Sequence, residues 1–251
     1  MLGKNVYEER IAISEEKGRL LGFQYPLTVS TSIISAYCIK DKKMIDIGAG
    51  PNPSLGRWVR EKDGLYFACD ISREFLSSQI SAGNGSCCIC SAEKLPFHSH
   101  TFDMGHIRFL LIHINSAKKR RLVIEEITTR CKNSIFMEFD WSTFECGPVV
   151  NNFVELTLEI MGEIADFNIG SKLESEISEV TEVKRVARFS RPLGDYYHEI
   201  LPLTKSLATT VAKLRPDLKA KVSEMIEDLL EESQKENPEL FIPPDIVTVI
   251  S

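Results

Sequence analysis

The stretch Met44-Ile-Asp-Ile-Gly-Ala-Gly-Pro-Asn-Pro-Ser-Leu-Gly56 decides the fold. Met44 to Ile47 is apolar but for one acid, the composition of a buried parallel strand, and it stops abruptly at Gly48. Gly48 and Gly50 lack a Cβ, so the chain can turn sharply there and bring its backbone close to a ligand. Asn52 tolerates a left-handed backbone and can cap a helix, and Pro53 suits a first helical position. Strand, glycine turn and helix start make a nucleotide-type cradle with backbone N–H groups facing the ligand. On the turn alone, an ordinary strand-to-helix connection stands equally open.

A second apolar run, Leu65 to Cys69, ends at Asp70, twenty positions after Gly50. A carboxylate at the tip of a second strand can accept both hydroxyls of a ribose. The dinucleotide fingerprint needs a third Gly where Pro53 stands, so NAD and FAD fit poorly, and no Gly-Lys-Ser/Thr follows, which excludes a P-loop. The remaining ligand is a ribose-bearing molecule without a long phosphate chain.

Asp46-Ile-Gly-Ala-Gly50, then Asp70, then Ser91-Ala-Glu-Lys-Leu-Pro-Phe97, then Thr101-Phe-Asp-Met-Gly105 resembles the first four motifs of the class I S-adenosylmethionine (SAM) dependent methyltransferases, in order and at the usual separations, over Lys42 to Trp141. Ala-Glu-x-Leu-Pro-Phe and the closing Pro243-Pro-Asp-Ile-Val-Thr-Val249 look closest to small-molecule members of secondary metabolism. The resemblance implies an α/β, Rossmann-like, seven-stranded, mostly parallel sheet with helices on both faces and a helical cap. It divides one domain into a cap over residues 1–35, a SAM-binding core over 42–141, and substrate-side helices with antiparallel terminal strands over 142–251. It also implies SAM contacts from Asp46, Gly48, Ala49, Gly50, Asp70, Ile71, Ser91, Ala92, Glu93 and Arg108. Many members carry a third Gly where this chain has Asn52, and most have Asp at the position of Ser91, whose neutral hydroxyl lacks charge assistance.

Length is compatible with one large α/β domain or a domain plus a cap. A chain of 251 residues, 43% hydrophobic and 26% charged, can bury a real core, and a net charge of -6 argues against a nucleic-acid backbone as partner. The basic run Lys118 to Arg121 reads as a solvated helix face. No secretory or membrane-length apolar run is evident, so a cytoplasmic protein acting on a small molecule is expected. The seven scattered cysteines suit reduced thiols. Cys87, Cys88 and Cys90 lack paired zinc spacing, and alternate strand residues point to opposite faces, so no metal is expected.

Residues 1–35 read as helical; in the family such a segment folds over SAM, with Tyr7 and Arg10 touching the methionine carboxylate or the substrate. Thr28 to Tyr37 is a plausible helix, Leu55 to Arg60 and Ser72 to Ser81 are crossover helices, and Ser72 is an N-cap. Strands are expected at Cys87 to Cys90, Phe102 to Ile107 and Ser134 to Phe139. Arg108 follows the fourth strand, where ligands of open α/β sheets bind, and either pairs with the SAM carboxylate or is salt-bridged in the following helix. His113 is a candidate base or a structural histidine on an apolar helix. Asp140-Trp141 suits a substrate amine, hydroxyl or cation, or else a helix cap and a packed ring. Catalytic candidates are therefore Tyr7, His113 and Asp140, and substrate contacts Tyr25, Asp140, Trp141, Tyr196 and Tyr197. Asn151 to Phe167 reads as a helix, Leu173 to Arg191 as strand-like with a bulge or turn, Leu203 to Leu214 and Asp217 to Gln234 as a helical excursion, and Asp245 to Ile250 as a terminal strand.

Methyl transfer needs two reactants held in line and no dedicated base. Two other outcomes share the same SAM motifs: a lyase or cyclase releasing methylthioadenosine, as in azetidine-2-carboxylate formation, and a non-catalytic SAM-binding regulator.

Overall fold

The computed structural model describes Leu20 and residues 24–251, except 85, 163, 164 and 195 and the side chains of 203, 205–207 and 212–214. Tyr7, Arg10 and most of the expected 1–35 cap lie outside the described residues. Seven strands, β1 (Lys43–Ile47), β2 (Leu65–Asp70), β3 (Ser86–Ile89), β4 (Met104–Arg108), β5 (Ser134–Asp140), β6 (Arg185–Phe189) and β7 (Asp245–Ile250), form one sheet in the order β3-β2-β1-β4-β5-β7-β6. The first five pair in parallel, while β7 runs antiparallel to both β5 and β6. From β1 the chain works outward to β3 and then returns to β4 on β1's other side, so the topological switch lies between β1 and β4. A ligand crevice is expected at that point.

The helices are α1 (Tyr25–Ser35), α2 (Ser54–Glu61), α3 (Arg73–Ser81), α4 (Ala117–Arg130), α5 (Pro148–Met161), α6 (Ile169–Ser178), α7 (Tyr197–Leu214) and α8 (Lys219–Ser233). Strand alternation divides the core. Met44, Tyr66, Met104, Ile135 and Met137 face Val29, Ile33 and Ile34 of α1, Leu55 and Val59 of α2 and Leu76 of α3. Ile45, Ile47, Ile107 and Phe136 face Val123, Ile124 and Ile127 of α4 and Ile169, Leu173 and Ile177 of α6. A separate third core joins α5, α7 and α8 around Phe241.

The crossover helices form where expected, and Ser72 Oγ accepts the Phe75 N–H as α3's cap. The stretch from Leu173 to Arg191 is corrected: it begins as helix α6, and only Arg185–Phe189 is strand. Ile169, Leu173 and Ile177 recur every four residues, so they bury one helical face, all at 0% exposure. The helix expected over Asn151 to Phe167 runs from Pro148 to Met161, with Pro148 in the first helical turn.

Candidate functional site

β1 ends at Ile47 and the chain turns through two left-handed glycines, Gly48 at φ +68° and Gly50 at φ +62°. The N–H groups of Gly48 and Ala49 both donate to the Cys69 carbonyl, at 2.8 and 3.0 Å. A Cβ on Gly48 would press on Leu110 at 3.1 Å, whereas one on Gly50 would meet nothing within 4 Å. Gly50 therefore faces open space at the mouth of the turn. The acid at the tip of β2 points at this bend: Asp70 Oδ2 accepts the Gly50 N–H at 3.0 Å and Oδ1 the Ser72 N–H at 2.8 Å. Burial raises the Asp70 pKa, and those two N–H groups act against the rise. Each oxygen keeps acceptor capacity for a further hydroxyl.

The underside of the turn is braced by a residue sequence reasoning did not single out. Gln79 Nε2 donates to the carbonyls of Gly50 and Asn52 at 2.9 and 3.0 Å. Asn52 Oδ1 accepts the Ser54 N–H at 3.0 Å and so opens α2. Ala49 is buried at 4%.

Beside Asp70, Ile71 leaves 38% of its surface exposed. The next strand ends alongside, since the Cys90 N–H donates to the Asp70 carbonyl at 3.1 Å. Ser91 Oγ then accepts the Glu93 N–H at 3.2 Å, turning the chain through half-buried Ala92. Glu93 itself meets Lys119 Nζ at 3.1 Å on the surface. The expected ribose and adenine residues thus line one rim formed by the ends of β1, β2 and β3.

Asp46 is placed differently from a ligand contact. It is 2% exposed, accepts the Tyr66 hydroxyl at 2.7 Å, and lies 2.7 Å from His106 Nδ1, whose Nε2 is 3.1 Å from Ser30 Oγ. Burial pushes its pKa up, but His106, Arg108 and Tyr66 together hold it below the usual carboxylate range. The carboxylate braces the cradle from beneath and does not line it. Arg108 is half-buried at the end of β4, one position beyond the Ile47–Ile107 pair, and forms no ion pair among the described residues.

Past β4 an aromatic wall begins. Phe109 has a left-handed backbone, φ +54°, fixed by its N–H to the Met137 carbonyl at 2.9 Å, and its ring stacks on Phe139 at 4.2 Å. A bulky residue in that conformation is an outlier of the kind that clusters at functional sites. Tyr25 and Tyr196, far apart in sequence, sandwich the Arg191 guanidinium at 4.7 and 4.0 Å, and Arg191 also pairs with Glu199 at 2.6 Å.

The remaining candidates take other positions. Asp140 is 3% exposed with both oxygens committed: Oδ1 accepts the Ser142 N–H and hydroxyl, and Oδ2 meets Arg188 at 2.6 Å. Burial raises its pKa, but these partners bring it below its ordinary value. Trp141 packs edge-on against Phe139, Phe144 and Phe167. Tyr197, at 3% exposure, is a packing residue of the third core and lies against Phe241, away from any open wall. His113 is exposed at the end of a short 3-10 turn, Leu111–His113, instead of lying on an apolar helix. Glu138 was not anticipated, although an acid inside Ile135-Phe-Met-Glu-Phe139 was visible. It is 1% exposed, accepts the Leu111 N–H at 2.7 Å, and burial pushes its pKa up to about 8.

Residues 45–134 match a family described as a methyltransferase domain. The search of curated proteins gives no match. Among solved structures, the fold is similar to one assigned as a methyltransferase from an antibiotic biosynthesis pathway of Anabaena variabilis, with TM-score 0.65 and 14% identity over 88% of this chain and 96% of that one. It is also similar to a SAM-dependent methyltransferase of Methanosarcina mazei, with TM-score 0.54 and 15% identity over 86% and 96%. A third is a Haemonchus contortus N-methyltransferase bound to phosphomonomethylethanolamine and S-adenosylhomocysteine, with TM-score 0.55 and 11% identity over 91% of this chain and 52% of that one. No described helix is long and apolar enough to cross a membrane. The residues present fit the cofactor, with an open side at Gly50, an acid clamped beside it and an exposed apolar face at Ile71. Over residues 45–134 the chain thus matches the methyltransferase-domain family, and its fold, with this sheet order, is similar to that of a solved SAM-dependent methyltransferase.

Proposed function

We propose that the chain transfers a methyl group from SAM to a small organic acceptor of secondary-metabolite type, held over the ends of β4 and β5. The observation that carries this reading is the Gly50–Asp70 contact, which puts an open backbone and a ribose-competent carboxylate on one rim. Bound SAM supplies a methyl group already activated on its sulfonium. Asp70 receives the ribose hydroxyls, Ile71 packs on the adenine, Ala92 and Glu93 read its edge with Ser91 behind them, and Arg108 meets the methionine carboxylate. Tyr25 packs on the same sheet face as the stacked Phe109 and Phe139, and Arg191 links it to Tyr196 of the third core; together these rings form the wall against which the acceptor is set. Positioning of this kind can contribute about 7 kcal/mol or more.

The Anabaena structure's antibiotic-pathway assignment supports a metabolite acceptor, as does the small phosphorylated amine in the Haemonchus structure. Incubation with SAM and a panel of small amines, hydroxyls and thiols, followed by mass spectrometry, tests it. S-adenosylhomocysteine formed only when acceptor is present is the expected result. Methylthioadenosine formed from SAM alone would replace the reading with a cyclase or lyase, and SAM binding without turnover across the panel with a regulator.

A further inference from the structure

The sequence places Cys87, Cys88 and Cys90 together, but the sheet sorts them differently. Cys88 and Cys90 are two positions apart and share a face, as strand alternation requires, while Cys87 packs on the other side. The third thiol comes from β2: Cys69 is the register partner of Cys88 across the parallel β2–β3 pair. The sulfurs of Cys69, Cys88 and Cys90 all lie within 4.8 Å of one another. Cys69 and Cys90 are buried and Cys88 half-buried. A cleft of about 320 Å³ lined by Phe67, Cys69, Cys87, Cys88 and Phe97 at the edge of the sheet reaches two of the three, Cys69 and Cys88.

We infer that Cys69, Cys88 and Cys90 bind one thiophilic d10 divalent cation, Zn²⁺ or its analogue Cd²⁺, through three thiolates, with a fourth position open to the cleft. Three soft ligands favour such ions, and a trigonal set that leaves one corner free is the arrangement of open zinc sites. Tetrahedral Zn–S bonds of about 2.3 Å place sulfurs a little under 4 Å apart, within reach of the observed cluster. On binding, three S–H groups release their protons to water as three metal–sulfur bonds form. The ion pins edge strand β3 to β2 immediately before Asp70 and Ser91, so it acts on the adenine side of the cradle. The site stands on its own geometry, whatever the methyl acceptor.

Titrating the reduced full-length protein with Cd²⁺, with a phosphine as the only reductant, and following the ultraviolet thiolate-to-cadmium charge-transfer band tests this. The expected result is saturation at one ion per chain, with a rise in Tm. Cys88→Ser changes the half-buried ligand and should weaken binding at least about tenfold, because losing even an outer-shell partner costs that much. Cys90→Ser should do the same, while Cys87→Ser and exposed Cys38→Ser should leave the titration unchanged. Circular dichroism of each variant separates lost binding from lost fold. No band in the wild type, or an undiminished one in folded Cys88→Ser and Cys90→Ser, would overturn the site.

Discussion

In the proposed site Asp70 serves the turn and the ribose with one carboxylate, because each oxygen accepts a backbone N–H and keeps acceptor capacity for a hydroxyl. Asp70→Ala should therefore weaken SAM binding by about 1.5–3 kcal/mol for each lost ribose bond, measured by calorimetry on protein of confirmed fold. Unchanged affinity would remove the acid from the site. Gly50→Ala and Gly48→Ala separate two costs. Both place a side chain in the left-handed region, at roughly 1–2 kcal/mol each. Gly48→Ala also crowds Leu110, whereas the Gly50→Ala methyl projects into the open cradle. Gly48→Ala should show the larger loss in urea unfolding, and Gly50→Ala the larger loss of SAM affinity relative to its loss of stability. Glu138 gives a pH signature. Its folded pKa of about 8 lies above the ordinary 4.5, so between those values the folded chain holds the extra proton. Stability should fall as pH rises through that window, by up to about 1.4 kcal/mol per unit, a slope that Glu138→Gln should abolish in urea titrations at pH 5, 6.5 and 8.

At the scale of elements, the strands and crossovers before Trp141 follow local signals closely. Apolar runs end at Gly48, Asp70 and Arg108, and each of those ends is a strand end or lies one position from it. The misread element is α6, where Leu173 to Val186 shows a mixed spacing that fits strand and helix alike until its partners are known. Its approach to the sheet is unusually close: a Cβ on Gly170 would lie 2.1 Å from the Phe139 carbonyl oxygen. Since neither backbone can yield cheaply, Gly170→Ala should destabilise the protein by about 1–3 kcal/mol or more, read from the urea midpoint. An Ala there without loss of stability would mean that α6 packs farther from β5.

For the molecule as a whole, α5, α7 and α8 close on Phe241 in a core apart from the two that sandwich the sheet. Phe241→Ala should cost about 3–5 kcal/mol within that helical layer. Hydrogen exchange should quicken in α5, α7 and α8 while β1 and β4 keep their protection; uniform quickening would mean that the layers open as one. By itself the sequence determined the glycine turn, the acid at the tip of the second strand and the parallel half of the sheet, because each is written in consecutive residues or in a fixed interval between two strand ends, while the antiparallel close came only as an implication of the family resemblance. Only the tertiary structure decided that Asp46 lies beneath the turn, that Asp140 is spent on Ser142 and Arg188, that Tyr197 is core, and that Tyr25 and Tyr196 meet across Arg191. The same holds for the thiols, where Cys69 replaces Cys87. The physical reason is that a side chain's face follows from strand alternation, but its company follows from register and pairing across long stretches of chain, and neither is present in any local window.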